Sequence, residues 1–186
     1  MIDDLFGDPP LVPGLEYRHE ALSPEEEAAL LANIRALPFA PFDFHGFKGN
    51  RRVVSFGWKY DFSSEALRQT EAIPDFLLPV REHSARGIDR QPERFEQVLV
   101  TEYAPGAGIG WHKDKAVFDE VMGVSLAAAC TLRLRRKEGS GWGRRKLELE
   151  PRSVYLFSGE VRSHWEHSIP PVSETRYSLT FRTLRR

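Results

Sequence analysis

The chain has 186 residues, 41% of them hydrophobic, with 26 basic against 27 acidic side chains for a formal net charge of −1. That length and apolar share suit one globular domain with a single sizeable core. The balanced charge gives no whole-molecule argument for a polyanionic partner, so any basic surface has to be local.

Residues 1–20 are rich in Pro and Gly without clear periodicity, and they are expected to form an irregular arm ahead of one domain over residues 21–186. The first ten residues hold no basic stretch leading into an apolar one, and nowhere do eighteen apolar residues run together. A soluble, cytoplasmic protein is therefore expected, with no membrane association and no obligate protein partner evident. Ser23-Pro24-Glu25-Glu26 reads as a helix start, with Ser23 as N-cap, Pro24 in the first turn and Glu26 reaching back, followed by an apolar stripe of Leu30, Leu31, Ile34 and Leu37. Phe42 to Phe62 carries many aromatics between glycines and reads as short strands and turns. A second helix is expected from about Pro74 to Arg86, with Phe76, Leu77, Val80 and His83 on one side.

From Phe95 onward the chain reads mostly as strand: Gln97 to Tyr103, the segment around His112, Val124 to Arg135, Lys146 to Glu150, Ser153 to Phe157, and Arg176 to Leu184. Helices first and strands after point to an α+β fold with a β-sandwich or barrel core supported by the helices. The lone Cys130 sits in an apolar run and is expected to be a small buried hydrophobe.

The chemistry concentrates in the last 85 residues. On an extended strand, His112 and Asp114 would share one face and approach one ion together. A third ligand has two candidates, His164 and His167, between which spacing does not choose. Two histidines and a carboxylate on one side of a metal leave positions open, which suits non-heme Fe(II). Arg176 and Arg182 are six apart, an even interval that puts both on one strand face, and a guanidinium suits bidentate carboxylate binding. Six residues of strand span roughly 20 Å, more than a short diacid, so Arg176 is the first choice as an anion clamp.

Three ordered motifs carry a resemblance: Tyr103-Ala104-Pro105-Gly106 before His112-x-Asp114, Gly159-Glu160-x-Arg162 before Trp165-x-His167-Ser168-Ile169-Pro170, and Arg176 to Arg182 as R-Y-S-L-T-F-R. Together they resemble the AlkB-like Fe(II)/2-oxoglutarate dioxygenases, over roughly residues 95–184 and more loosely before them. The resemblance implies a double-stranded β-helix (jelly-roll) core over about residues 95–184, with supporting N-terminal helices and a nucleotide-recognition-type lid over about residues 39–62. It implies Fe(II) held by His112, Asp114 and His167, with His164 a neighbour, and 2-oxoglutarate and dioxygen as co-substrates. Tyr103 and Arg176 would hold the distal carboxylate of 2-oxoglutarate, while Arg182 would support the co-substrate and Asp114. Members of the family couple decarboxylation of 2-oxoglutarate to succinate and CO2 with hydroxylation of a substrate C–H bond; from an N-methyl group the product loses formaldehyde. The partner this implies is nucleic acid carrying alkylated bases. The same chemistry on a protein, lipid or small molecule, and a non-catalytic jelly-roll that binds partners, are the alternatives.

Two positions depart from the family pattern. Thr101 stands where an Asn usually precedes the Tyr by two, which shortens one co-substrate contact. Ala116 stands where repair members place an acidic residue against a cationic methylated base, a role Asp119 or Glu120 would have to fill from another loop geometry. In the lid, the basic cluster around Arg51 and Arg52 followed by Phe56 and Trp58 combines cations for phosphates with rings for stacking, though the same aromatics suit a buried hairpin. A second basic run surrounds the turn at Gly139 to Gly143 and reads either as a nucleic-acid contact or as a solvated hairpin tip.

Overall fold

Most of the strands lie in two sheets. The computed structural model describes residues 11–44 and 47–186, with the side chains of residues 43–49 left aside; the start of the arm and the side chains of Phe44, Phe47 and Lys48 thus lie outside the described residues. In chain order the elements are β1 (Leu15–Arg18), α1 (Pro24–Ile34), β2 (Ala40–Phe44), β3 (Phe47–Phe56), β4 (Trp58–Asp61), β5 (Ala66–Gln69), α2 (Leu78–Gly87), β6 (Phe95–Tyr103), β7 (Ile109–His112), β8 (Phe118–Leu126), β9 (Cys130–Glu138), β10 (Gly141–Leu149), β11 (Ser153–Phe157), α3 (Gly159–His164), β12 (Glu166–Ile169) and β13 (Arg176–Leu184). A seven-stranded sheet runs β1-β11-β8-β13-β6-β3-β2, a four-stranded sheet runs β10-β9-β12-β7, and β4 and β5 form a separate hairpin. From β6 onward the chain passes repeatedly between the two larger sheets, which makes a jelly-roll. The described fold is mostly β with few helices.

The central strands β11, β8 and β13 of the larger sheet are buried on both faces along most of their length. Val98, Val100, Met122, Val124, Leu126, Leu179 and Phe181 join Leu30, Leu31, Ile34, Leu77 and Val80 in a core beneath α1 and α2. Residues of the opposite parity, including Tyr103, Val121, Tyr155 and Phe157, meet Leu132, Leu134, Leu149 and Ile169 of the smaller sheet in a second core. Each fully buried aliphatic or Phe side chain contributes about 1.5–3 kcal/mol relative to exposure.

The capping box forms as expected: the Glu26 amide donates to Ser23 Oγ at 3.1 Å and the Ser23 amide to Glu26 Oε2 at 2.7 Å. One turn on, buried Glu27 accepts from the Ala127 amide at 2.7 Å and pairs with Arg152 at 3.5 Å. That contact ties α1 to the turns that flank β8 and β11.

Several expectations are corrected. The apolar stretch from Val124 to Arg135 is two strands, because Ala127 turns into the left-handed region at φ 73° and the chain crosses to the other sheet. β7 ends at His112, so Asp114 sits in the following loop rather than on the strand. His83 is exposed on α2, and the second helix starts with a 3-10 turn over Asp75–Leu77. Residues 15–18 of the arm form an edge strand paired with β11.

Candidate active site

Strand register sets the inward-facing side chains in rows. Arg51 on β3 lies opposite Tyr103 on β6, which lies opposite Arg176 on β13. In the next row Thr101 lies opposite Ser178, itself opposite Ser125 on β8. Arg176 is 1% exposed. Its Nε and one terminal nitrogen donate to Ser125 Oγ at 3.2 and 3.1 Å, its guanidinium lies 5.1 Å from the Tyr103 ring centroid, and its other terminal nitrogen is buried without a partner. A buried cation with an unused donor beside a phenol and two hydroxyls makes a receptor for a carboxylate.

The second group hangs from the smaller sheet. His112 at the end of β7 pairs in register with His167 on β12, and their ring centroids are 4.2 Å apart. His112 Nδ1 lies 2.8 Å from the Gly110 carbonyl. A carbonyl only accepts, so Nδ1 carries the proton and Nε2 keeps its lone pair. His167 Nε2 is 3.7 Å from Asp114 Oδ2, while Asp114 Oδ1 accepts from Arg182 at 2.9 and 2.7 Å. Arg182 also donates to Gln97 Oε1 at 3.0 Å.

Burial acts to raise the Asp114 carboxyl, but Arg182 above all, then His167, His112 and Arg162, outweigh it and hold the group well below the usual carboxylate range. His167 is pulled down to about 3, first by burial and then by His112, against the opposing pull of Asp114. Burial also lowers His112, with Arg51 and Arg182 adding to the effect. The set at neutral pH is therefore two neutral imidazoles and one carboxylate.

α3 supports the loop that carries Asp114. Arg162 is 7% exposed and donates to the carbonyls of Lys115 and Phe118, both at 2.7 Å, while Lys113 donates to the Ser163 carbonyl at 2.9 Å. His164, the other ligand candidate, bonds Ser163 Oγ at 2.9 Å and lines a separate open cavity of about 550 Å³ with Asp119, Glu160 and Arg185. Asp119 is paired with Arg185 at 3.5 Å, and Glu120 is bound to Arg90 at 2.8 Å. Both acids are engaged away from the His112 loop, where Ala116 is exposed.

A model of the 2OG-Fe(II) oxygenase superfamily matches residues 14–182. The chain belongs to that superfamily. Within it the chain is AlkB-like: it is 28% identical over 167 residues to the mouse tRNA (carboxymethyluridine(34)-5-O)-methyltransferase ALKBH8, covering 87% of this chain and 25% of that protein. It is 27% identical over 183 residues to the Arabidopsis thaliana alkylated DNA repair protein ALKBH8 homolog, covering 86% of this chain and 51% of the relative. The chain thus spans a quarter to a half of these two relatives. In fold it resembles OsALKBH1, with a TM-score of 0.69 at 17% identity over 92% of this chain and 97% of that one. It also resembles a Pseudomonas putida prolyl-4-hydroxylase, with a TM-score of 0.61 at 17% identity and 93% of each chain covered.

The superfamily implies Fe(II) and 2-oxoglutarate. Among the described residues, no three His, Cys, Asp or Glu side chains form an assembled metal-holding group. His112, Asp114 and His167 are gathered without being closed around one point, since Asp114 turns one oxygen to Arg182. Their donor chemistry, two imidazole nitrogens and one carboxylate oxygen, fits Fe(II), and the unused donor of Arg176 fits a dicarboxylate.

Of the residues expected in a lid, Arg51 is buried, its guanidinium 3.9 Å from the Phe42 ring centroid and close enough to Arg182 and Asp114 to feel both charges. Arg52 faces the other way and pairs with Glu102 at 2.7 Å. Phe56 is a core residue under the helices, and Gly57 at φ 77° breaks the strand before Trp58, so the two rings do not form one platform. Sequence reading missed Ser125, Gln97 and Tyr155. Gln97 shares the two-residue alternation of Thr101 and Tyr103, the one signal that marked it; no pattern singled out Ser125 or Tyr155.

Proposed function

We propose that this chain is an Fe(II)/2-oxoglutarate dioxygenase that oxidatively demethylates alkylated nucleic-acid bases. The observation that carries the chemistry is the buried Arg176 guanidinium with a free donor, one sheet away from two neutral imidazoles and the Asp114 carboxylate. The names of the mouse and Arabidopsis relatives, one a tRNA methyltransferase and one an alkylated DNA repair protein, support nucleic acid as the substrate class.

In this reading His112, Asp114 and His167 hold Fe(II), and Arg176 with Tyr103 and Ser125 takes the distal carboxylate of 2-oxoglutarate. Thr101 lies beside them. Arg182 fixes the orientation of Asp114 by occupying Oδ1, so that Oδ2, the oxygen nearer His167, would be the ligand atom. When bound, Fe(II) with 2-oxoglutarate and dioxygen supplies the oxidising power: one oxygen atom goes to succinate and one to a substrate C–H bond, CO2 is released, and an N-hydroxymethyl product loses formaldehyde. The aromatic cluster of Phe42, Tyr60 and Phe62, with Lys115 5.0 Å from two of its rings, would form part of a lid over the base. Arg51 and Lys115 bring positive charge to that side, and Ala116 brings no carboxylate. An uncharged alkylated base therefore suits the site better than cationic 1-methyladenine or 3-methylcytosine.

The test is 2-oxoglutarate turnover with Fe(II) and ascorbate, followed by formaldehyde release across methylated DNA and RNA oligonucleotides with neutral and cationic lesions. His112→Ala or Asp114→Ala is expected to abolish turnover, and full activity in either would refute the ligand assignment. Turnover without formaldehyde from any oligonucleotide would shift the reading to a non-nucleic-acid substrate.

A further inference from the structure

The smaller sheet turns Leu132, Leu134 and Leu149 inward, so the alternate residues of β9 and β10 face outward. On that outer face the Arg135 guanidinium lies 4.4 Å from the Trp111 ring centroid and 4.1 Å from that of Trp142, and Arg133 lies 5.1 Å from Trp111. Lys137 lies 5.2 Å from Trp142, which at 40% exposure is one of two exposed large hydrophobic residues among those described.

The pairing across this face is electrostatically unfavourable. Arg144 stands directly opposite Arg135, and Lys146 directly opposite Arg133. Like charges opposed across strands destabilise a sheet. Two carboxylates share the face: Glu166 pairs with Arg135 at 2.6 Å, and Glu148 accepts from Thr131 at 2.8 Å. Five cations against two anions remain, on a chain whose net charge is −1. The strip ends at Trp111 on β7, the edge strand of the sheet, on the face opposite the one that carries His112, so only the sheet edge separates it from the proposed centre.

The geometry points to this outer face as a track for single-stranded nucleic acid flanking the modified base, with phosphates on Arg144, Lys146 and Arg133 and bases stacked on Trp142. Cations alone would suit any polyanion; the exposed indole between them suits bases, which every nucleotide presents. The inference rests on the nucleic-acid reading above and adds the surface that would hold the strand.

Fluorescence anisotropy with unmodified single-stranded DNA and RNA oligonucleotides tests it on the full chain, with heparin as a polyanion that has no bases. Arg144→Glu with Lys146→Glu is expected to weaken oligonucleotide binding more than tenfold and to flatten the salt dependence by about one to two in log–log slope. Trp142→Ala is expected to weaken oligonucleotide binding about tenfold and to leave heparin binding unchanged. Arg144→Glu places opposite charges across from one another, so its thermal midpoint should equal or exceed that of the wild type, which separates lost binding from lost folding. Wild-type binding that survives in all these variants would overturn the track and leave the nucleic-acid reading standing. Equal losses towards heparin in Trp142→Ala would overturn base stacking and the assignment of this face to nucleic acid. A wild-type chain that neither binds oligonucleotides nor releases formaldehyde from them would overturn both.

Discussion

Arg51, Arg162, Arg176 and Arg182 are each less than a tenth exposed, and all surround a neighbourhood whose buried carboxylate is Asp114. A buried cation without full partnering destabilises the fold, and a missing hydrogen bond to a charged donor costs about 1.5–3 kcal/mol. Arg182 is satisfied by Asp114 and Gln97, whereas Arg176 keeps one nitrogen unpaired. A carboxylate ligand would complete Arg176, which is why the excess charge is tolerable at that point. Arg176→Lys keeps the charge and loses the planar fork, so the KM for 2-oxoglutarate should rise about tenfold or more with a smaller change in kcat. An unchanged KM would remove Arg176 from the co-substrate site. Gly123 gives a second check on the same compartment. A Cβ built there runs into the Tyr155 ring, which is buried close enough to Arg176 to feel its charge and whose hydroxyl burial pushes up and keeps protonated. Gly123→Ala should displace that ring, cost about 1–3 kcal/mol of stability and weaken 2-oxoglutarate binding. A variant with wild-type stability and KM would show that the ring moves freely and shapes nothing.

At the level of elements, α1 contributes more than an apolar stripe. Glu27 reaches from its first turn to the Ala127 amide at 2.7 Å and to Arg152, fixing the crossing from β8 to β9 and the turn into β11. Removing it takes the acceptor from the part-buried Ala127 amide and from the Arg152 guanidinium. Glu27→Ala should therefore cost about 2–3 kcal/mol, lowering the thermal midpoint by about 4–10 °C for a domain of this size. Glu27→Gln, which still accepts from the amide, should lose less. If both variants melt with the wild type, the contact carries no weight. The Ala127 turn also marks where the sequence was hard to read. Val124 to Cys130 is apolar apart from Ser125, with no Gly, Pro or Asn to announce a left-handed residue, so β8 and β9 read as one strand. The apolar and alternating residues of β6, β11 and β13, by contrast, were legible from the order of residue types alone. α3 and β12 were not, because Arg162 to His167 is short and polar and owes its conformation to tertiary contacts such as those of Arg162 with the Lys115 and Phe118 carbonyls. Asp114 was read in the right neighbourhood but on the wrong element, since its position depends on those same contacts.

Across the whole molecule, the two sheets contribute different halves of the proposed site. The larger sheet presents Tyr103, Ser125, Arg176 and Arg182, and the smaller sheet presents His112 and His167, with Asp114 in the loop between β7 and β8. Metal and co-substrate bound there would bridge the sheets and stabilise the native state through mass action, by about 2.7 kcal/mol at a hundred times the dissociation constant. For a domain of this size that corresponds to a rise in the thermal midpoint of about 5–10 °C. Mn(II) serves as a probe that binds similar donors without turnover, and the design separates the halves. Mn(II) alone should raise the midpoint in the wild type and in Arg176→Lys, but not in His112→Ala. 2-Oxoglutarate added with Mn(II) should raise it further in the wild type and much less in Arg176→Lys. If 2-oxoglutarate gave the same increment in Arg176→Lys as in the wild type, the diacid would be held elsewhere. If Mn(II) stabilised His112→Ala as well as the wild type, the metal would bind outside the His112, Asp114 and His167 cluster, and the two sheets would not be joined through it.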